Sequence, residues 1–289
     1  MEFDYIIIGA GSAGCVLANR ITSVGGNKVL LLEAGPKNTA LSLKIPATIL
    51  SNLTSTKYNW AFQGEPEPEL NDRTLKHDRG KTLGGSSSIN GLVFIRGHAF
   101  DFDGWQQAGC TGWGFADVLP YFKKMETYEG GTDEYRGRDG PLHVHRSTPE
   151  DPLSLAFLQA GKEAGYPETN DISGYRQEGF GGFDRTVFKG ERWSTARAYL
   201  DPIRHRQNLK IRTDTQVQRL IFEGTRATGV VYKDKNGISK IVEAKKEIIL
   251  SAGAVGSPHL LMLSGVGPAH HLQKNGVNLV KTYLALAKT

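Results

Sequence analysis

Three glycines and one glutamate near the N-terminus have the spacing of a phosphate- and ribose-binding site. Gly9, Gly11 and Gly14 form a GxGxxG pattern, and Glu33 follows nineteen positions after Gly14. The first glycine permits a sharp turn, the second lets a pyrophosphate approach the backbone, and the third lets a helix pack closely on a strand. A carboxylate at the later position can accept both hydroxyls of a ribose. We therefore expect a dinucleotide site that prefers an unmodified ribose over a 2′-phosphate.

The elements around these residues are those that such a site requires. The sequence predicts a buried strand over 5–8, a helix that extends to about residue 24, and a second apolar strand over 29–32. The helix N-terminus would offer free N–H groups and a partial positive charge to the phosphates. A glycine-rich loop without a ligand is the alternative. The pattern does not distinguish NAD from FAD.

A second stretch, "RGKTLGGSSSINGLVFIRGHAFDFDGW" over 79–105, joins a Gly/Ser-rich turn directly to an apolar run. A solvent-exposed Gly/Ser loop is the alternative interpretation. A flexible linker would not usually lead straight into "INGLVFI", however. We therefore predict a second anion-binding turn that completes the site around a long dinucleotide.

A third stretch, "KEIILSAGAVGSPHLLMLSGVG" over 246–267, predicts a strand over 247–250, a tight crossing at Ala252-Gly253 and a helix that begins at Ser257-Pro258. Upstream, β-like runs occur near 209–213, 217–222 and 227–232, with a further strand over 238–242 after a turn. The predicted fold is therefore α/β, with a Rossmann-like parallel sheet and an inserted β-meander. Asp151 and the following proline predict the start of another helix.

Composition and charge argue against several kinds of partner and site. The chain has 289 residues and a formal net charge of +5, but Lys and Arg are spread along it, so we predict no nucleic-acid partner. Cys15 and Cys110 lack metal-ligand spacing and indicate a reducing compartment. His143 and His145 lack a carboxylate or cysteine that would complete a metal site, so we predict no metal.

No stretch reaches the ~20 apolar residues of a transmembrane helix. We expect a cytoplasmic protein, with peripheral attachment at the inner membrane as the alternative.

The long stretches resemble the two signatures of the glucose-methanol-choline (GMC) oxidoreductases, a family of FAD-dependent alcohol dehydrogenases and oxidases. "GKTLGGSSSINGLVFIRGHAFDFD" is similar to the first signature and "GAVGSPHLLMLSGVG" to the second. The resemblance extends from about residue 3 to residue 280. "YNWAFQGEPEPELNDR" and "ERWSTARAYL" look most like the bacterial choline dehydrogenase branch. The resemblance to the family implies an FAD-binding domain joined to a substrate domain that is incomplete in this sequence.

The resemblance also implies roles for individual residues. Ile89 stands where some members have a histidine that is linked covalently to FAD, so the flavin is expected to bind non-covalently. The matched cofactor-binding positions belong to the ADP-binding half, the turn beside the pyrophosphate, the flavin ring, the adenine and a strand end: Gly9, Gly11, Ser12, Ala13, Gly14, Glu33, Ala34, Trp60, Arg79, Gly84, Gly85, Ser88, Asn90, Gly91, Val217, Ala252 and Gly253. A core position is the alternative for Trp60.

The implied reaction transfers a hydride from the carbinol carbon of a small-molecule alcohol to the flavin, while a base takes the hydroxyl proton. In the family this base is a histidine from a C-terminal segment that the sequence lacks, so no catalytic residue is predicted. The electron acceptor is not predicted either. The first hypothesis is an enzyme fragment, and the second is a non-catalytic FAD-binding remnant or pseudogene product. An NAD-dependent reductase is the outside alternative.

The last residues depart from the family pattern. After Val280 the family continues with something like Asp-Leu-Pro-Gly-Val-Gly, whereas this chain reads "KTYLALAKT". One choice of codons for these residues, read one nucleotide back, encodes Asp-Ile-Pro-Gly-Ile-Gly, and a frameshift near codon 281 is our hypothesis. We predict an FAD-binding domain over 1–150 and 205–280, a partial substrate-domain segment over 151–204, and an aberrant tail over 281–289.

Overall fold

The computed structural model describes residues 2–283 and divides the chain into two compact units. Of the described residues, the first unit contains 2–43, 47–90 and 195–283, and the second contains 44–46 and 91–194. The sequence instead predicts domain boundaries after residues 150 and 204. Residues 91–150 group with the second unit because three of its four sheet strands come from that segment. Of the predicted tail, residues 284–289 lie outside the described residues.

A six-stranded sheet forms the centre of the first unit. Its elements, with the two helices that flank it, are β1 (Phe3–Ile8), α1 (Ser12–Ile21), β2 (Val29–Leu32), β3 (Leu209–Arg212), β4 (Gln216–Glu223), β5 (Arg226–Lys233), β6 (Ser239–Leu250) and α2 (Gly253–Leu263). The strand order is β3-β2-β1-β6-β5-β4. β3, β2, β1 and β6 are parallel, and β6, β5 and β4 are antiparallel. The predicted Rossmann-like sheet with an inserted meander is confirmed.

The last strand of the meander is also a central strand of the parallel sheet. The N-terminal part of β6 pairs antiparallel with β5, where Val242 faces Val230, and its C-terminal part pairs parallel with β1, where Ile248 faces Ile6. The two separate strands predicted over 238–242 and 247–250 are therefore one. The prediction divided them because charged residues over 245–247 interrupt the apolar pattern. β3, predicted with the meander, instead pairs in parallel with β2 at the sheet edge.

The apolar run 6–8 of β1 and the whole of β2 are buried on both faces, as continuous apolar runs in parallel strands require. Ile6 and Leu30 join a core cluster with Val230 and Leu260, which come from the meander and from α2. Their neighbours on the opposite face, such as Ile7, are equally buried. Each fully buried side chain of this size contributes about 1.5–3 kcal/mol. The hydrophobic core therefore fixes the strand ends from which the candidate site is built.

The remaining elements of the first unit are short. They are the helices Ile49–Leu53 and Ala269–Lys274, the π-helical turn Ala196–Leu200, the strand pairs Phe62–Gln63 with Lys76–His77 and Val266–Gly267 with Lys281–Thr282, and the 3-10 turns Leu41–Leu43, Pro68–Leu70, Gly85–Ser88 and Asp201–Ile203. A further 3-10 turn, Pro46–Thr48, spans the boundary between the units.

The second unit is built around a four-stranded sheet with the order Val93–Phe94, Asp184–Arg185, Leu142–Arg146, Glu126–Tyr128. It also contains the helices Ala99–Gln107, Phe115–Met125 and Pro152–Glu163 and the strand pair Val187–Phe188 with Glu191–Arg192. The Asp151 carboxylate accepts a hydrogen bond from the Ser154 N–H at 2.9 Å and caps the third of these helices. The helix start predicted at this position is confirmed.

Candidate functional site

A cavity of about 870 Å³ lies at the carboxyl ends of β1, β2 and β6. This is the edge of a parallel sheet at which α/β folds bind ligands. Small-molecule sites commonly measure ~300–1,000 Å³, so this one falls in the upper part of that range. Most of the residues predicted from the sequence line it: Gly9, Gly11, Ser12, Ala13, Glu33, Ala34, Trp60, Arg79, Gly85, Val217, Ala252 and Gly253.

The N-terminus of α1 opens onto this cavity without a side-chain cap. Gly11 is the N-cap residue, it accepts no capping hydrogen bond because it has no side chain, and the first turn contains no acidic residue. The N–H groups at the start of a helix have no intrahelical partners and bear partial positive charge. A Cβ at position 11 would have no atom within 4 Å. The turn therefore leaves open space and free donors where an anionic group can lie.

The first and third glycines of the motif are required by packing. Gly9 has φ +93°, and a Cβ there would lie 2.5 Å from the carbonyl oxygen of Ser251 in the turn after β6. A Cβ on Gly14 would lie 1.9 Å from the carbonyl oxygen of Gly9. The start of α1 thus lies directly against the end of β1. The roles predicted for these two positions from spacing agree with this geometry.

The second glycine-rich turn contacts the first. Gly84 donates its N–H to the Ala10 carbonyl oxygen at 2.7 Å, and a Cβ on Gly85 would lie 2.7 Å from the Cα of Gly11. Both Gly84 and Gly85 have positive φ, +90° and +52°. Gly85 lines the cavity, whereas Gly84 is buried and does not line it. The structure therefore brings the two turns together, as the sequence predicts.

Glu33 is buried at the end of β2 and faces the cavity. Its carboxylate oxygens accept the N–H groups of Ala10 and Gly35, each at 2.8 Å. Burial raises its pKa to about 7, because desolvation of the carboxylate outweighs the stabilisation by these two N–H donors. Each oxygen keeps a second lone pair, so the side chain can still accept a hydroxyl. The carboxylate therefore both braces the two loops and offers acceptors to a ligand.

Aromatic and basic side chains form one wall of the cavity. The rings of Trp60 and Phe62 are stacked with centroids 5.7 Å apart, and the Lys81 ammonium lies 4.5 Å from the centre of the Trp60 ring. Arg79 lines the same cavity. Trp60 is half-buried and lines the cavity. It is therefore not only a core residue, which was the alternative prediction. This wall combines a flat apolar surface with positive charge.

The cavity lining also contains residues that the sequence analysis missed. Gln216, Gln218 and His259 line the cavity beside Val217. The helix predicted with Ser257 as N-cap and Pro258 as first residue begins five residues earlier, at Gly253, whose φ is +86°. The N-terminus of α2 therefore also borders the cavity. Pro258 lies inside the helix. The predicted helix start was too late because proline most often occupies the first turn of a helix.

Five predicted positions do not line the cavity. Gly14 and Gly84 are buried, and Ser88 is buried with its hydroxyl donated to the Leu83 carbonyl oxygen at 2.8 Å. Asn90 is exposed, and Gly91 belongs to the second unit. Ile89, the position considered for covalent attachment, is 1% exposed and does not line the cavity either.

Comparison with known proteins agrees with this architecture. The family model described as GMC oxidoreductase matches residues 3–282. The chain belongs to the GMC oxidoreductase family. Among curated GMC relatives, the mitochondrial choline dehydrogenase of Mus musculus is 50% identical over 96% of this chain and 48% of its own length. The oxygen-dependent choline dehydrogenase of Rhizobium etli is 48% identical over 96% of this chain and 50% of its own length.

A solved structure of an FAD-dependent oxidoreductase from Chaetomium thermophilum has the same fold, with a TM-score of 0.89 and 30% identity over 97% of this chain and 50% of that one. The chain thus spans about half the length of the GMC relatives it matches. No helix among residues 2–283 is long and apolar enough to cross a membrane. Within the same residues, no group of three or more His, Cys, Asp or Glu side chains could hold a metal ion.

Proposed function

We propose that the cavity of the first unit binds FAD non-covalently and that the chain is the cofactor-binding half of an alcohol dehydrogenase of the choline dehydrogenase type. The observation that supports this most strongly is the convergence of two glycine turns, the uncapped start of α1 and Glu33 on one cavity of about 870 Å³. The open space at Gly11 also fits this cofactor, since a pyrophosphate must approach the backbone there.

Each group in the cavity would have a defined task. The N–H groups of Ser12 and Ala13 at the start of α1 would bind the pyrophosphate, with the second glycine turn beside it. Glu33 would accept the ribose hydroxyls, and the backbone at Val217 would meet the adenine. FAD, when bound, supplies an acceptor for the hydride of an alcohol. No residue of this chain is assigned as the base that takes the hydroxyl proton.

Non-covalent binding is supported by the side chain at position 89. Ile89 has no nucleophilic atom and is 1% exposed, so it cannot form a bond to a flavin. If the protein is purified with FAD and then denatured and filtered, all flavin absorbance should appear in the filtrate. Flavin retained with the denatured chain would contradict this part of the proposal.

The central experiment is a visible spectrum of the purified chain, followed by dye reduction with choline and with simple alcohols. We expect oxidised-flavin absorbance. If dye is reduced with choline, this chain itself supplies the proton acceptor; if the protein is yellow without turnover, the non-catalytic FAD-binding alternative is favoured. A colourless protein that binds NADH would contradict the FAD proposal. Fractionation tests the cytoplasmic location, with attachment at the inner membrane as the alternative outcome.

A further inference from the structure

The second unit contains a separate cavity of about 180 Å³, and two of the buried residues that line it each have an unsatisfied polar atom. Arg96 and Ser173 both line the cavity and are 5% and 3% exposed. Within residues 2–283 the Arg96 Nε and the Ser173 Oγ have no hydrogen-bond partner. Leaving a buried polar group without a partner costs about 1–3 kcal/mol. Two such groups on one cavity indicate that something polar belongs there.

Both groups are held in place by their neighbours. The Arg96 guanidinium donates through Nη1 to the Tyr135 carbonyl oxygen and through Nη2 to Glu126 Oε1, both at 2.6 Å, which leaves Nε free. The Gln177 side-chain amide donates to the Arg96 carbonyl oxygen at 2.9 Å and to that of Ile172 at 3.1 Å. A single side chain therefore ties the backbone of Arg96 to that of Ile172, the residue before Ser173.

The chemistry of the two groups selects the ligand atom. The Arg96 Nε–H can only donate and the Ser173 hydroxyl can also donate, so an acceptor oxygen can satisfy either group. The walls include the Phe115, Tyr135 and Tyr175 side chains, the last two with ring centroids 6.1 Å apart. A cavity of roughly 150 Å³ in another protein holds a benzene molecule. A single-ring molecule with one oxygen acceptor therefore fits this volume.

The surrounding charges favour a neutral ligand over an anion. Arg96, which lines the cavity, and Arg136 contact three carboxylates: Glu126, Asp171 and Asp184. His98, which also lines the cavity, has its Nε2 3.3 Å from the Glu178 carboxylate. The guanidinium charges are thus already matched or exceeded, and a further buried anion would be repelled. A carbonyl oxygen accepts the same hydrogen bonds without adding charge.

We propose that this cavity is a binding site for a small neutral molecule that bears a carbonyl oxygen, which accepts hydrogen bonds from the Arg96 Nε and the Ser173 hydroxyl. The site lies within the second unit and is independent of FAD binding. Success or failure of this proposal is therefore separable from that of the proposed function.

Isothermal titration of the full chain with benzamide tests the site, with benzoate and toluene as comparators. We expect saturable binding of benzamide and at least ~5-fold weaker binding of toluene, since each lost hydrogen bond contributes about 1 kcal/mol. Benzoate should also bind more weakly than benzamide, because the nearby carboxylates of Glu126, Asp171 and Asp184 repel an anion. If the cavity takes up water alone, no saturable binding of benzamide occurs and the proposal fails. Preference for benzoate over benzamide would also overturn it.

Two substitutions connect such binding to the named groups. Ser173→Ala should weaken benzamide binding ~5-fold without loss of stability, because it removes an unsatisfied hydroxyl. Ala99→Leu, which fills the cavity, should abolish binding. Ser239→Ala, at an exposed strand position of the first unit, is the matched control and should change nothing. Equal affinity for benzamide in the wild type and in both cavity variants would show that binding occurs elsewhere.

Discussion

Gly14 lies so close to Gly9 that a Cβ at position 14 would be 1.9 Å from the Gly9 carbonyl oxygen. That oxygen belongs to the backbone, so the clash can only be relieved if α1 moves away from β1. We expect Gly14→Ala to lower the free energy of unfolding by at least about 1–3 kcal/mol, measured by urea denaturation of the apoprotein. Gly25→Ala, where a Cβ meets no atom within 4 Å, is the control and should change stability by less than ~0.5 kcal/mol.

Gly11→Ala should leave the stability of the apoprotein unchanged and weaken FAD binding. The new methyl group meets no protein atom within 4 Å, so the apoprotein should unfold at the wild-type urea concentration. The methyl group projects into the cavity at the α1 N-terminus, where we propose that the pyrophosphate lies. We expect FAD affinity to fall at least ~10-fold, measured by flavin fluorescence during titration of the apoprotein. Wild-type affinity in this variant would place the pyrophosphate elsewhere.

Glu33 should make the stability of the apoprotein depend on pH. Burial raises its pKa from an ordinary value of 4.5 to about 7. A group with a raised folded-state pKa contributes stability that is fully present below its unfolded pKa and is lost as pH rises through the folded pKa. Between pH 4.5 and about 7 the wild type should therefore lose on the order of 3 kcal/mol relative to Glu33→Gln. Equal pH slopes in urea denaturation of the two proteins would refute this.

The same carboxylate should couple FAD binding to pH. Ribose hydroxyls that donate to Glu33 favour its ionised form, so binding should release a proton where the free protein still holds one. We expect FAD affinity to increase as pH rises from about 5 to 7.5 in the wild type, and to stay flat in Glu33→Gln. Titration calorimetry in buffers of different ionisation enthalpy measures the released proton directly. No proton release near pH 6 would show that the ribose does not engage Glu33.

The sequence predicts the part of the fold that local pattern determines. β1, α1 and β2 follow from one glycine motif and two short apolar runs, and the motif also places Glu33 at the cavity. β6 could not be predicted as one strand, because its two halves pair with different partners. The charged residues between the halves belong to the same strand only because of that pairing. The early start of α2 depends on Gly253 at positive φ, which its sequence permits but does not require.

The polar groups of the second unit could not be predicted at all. Arg96, Glu126, Arg136, Asp171 and Asp184 come from separate segments, and nothing in their spacing indicates that they meet. Only tertiary pairing brings them together, and the small cavity beside them depends on the same contacts. Sequence motifs therefore locate the cofactor site, which is built on local turns, and miss sites that are assembled from distant residues.

Among the buried residues of the second unit, we expect substitution of Arg136 to reduce stability most. Its side chain is fully buried, contacts Glu126 at 2.9 Å, Asp171 at 2.5 Å and Asp184 at 2.9 Å, and lies 3.5 Å from the centre of the Tyr128 ring. Arg136→Met removes the cation and leaves these carboxylates buried with too little positive charge. Breaking a buried ion pair on one side commonly costs about 3–5 kcal/mol.

Hydrogen exchange of the amides in the strand Glu126–Tyr128 measures this loss locally, since the two units need not unfold together. Their opening free energy should fall by about 3–5 kcal/mol in Arg136→Met. Lys162→Met is the matched control, because Lys162 pairs with Glu168 at 3.6 Å on the surface, where both side chains are more than half exposed. An exposed pair contributes about 0–1 kcal/mol. Similar exchange in the two variants would mean that the carboxylates around Arg136 are protonated or otherwise neutralised in the folded protein.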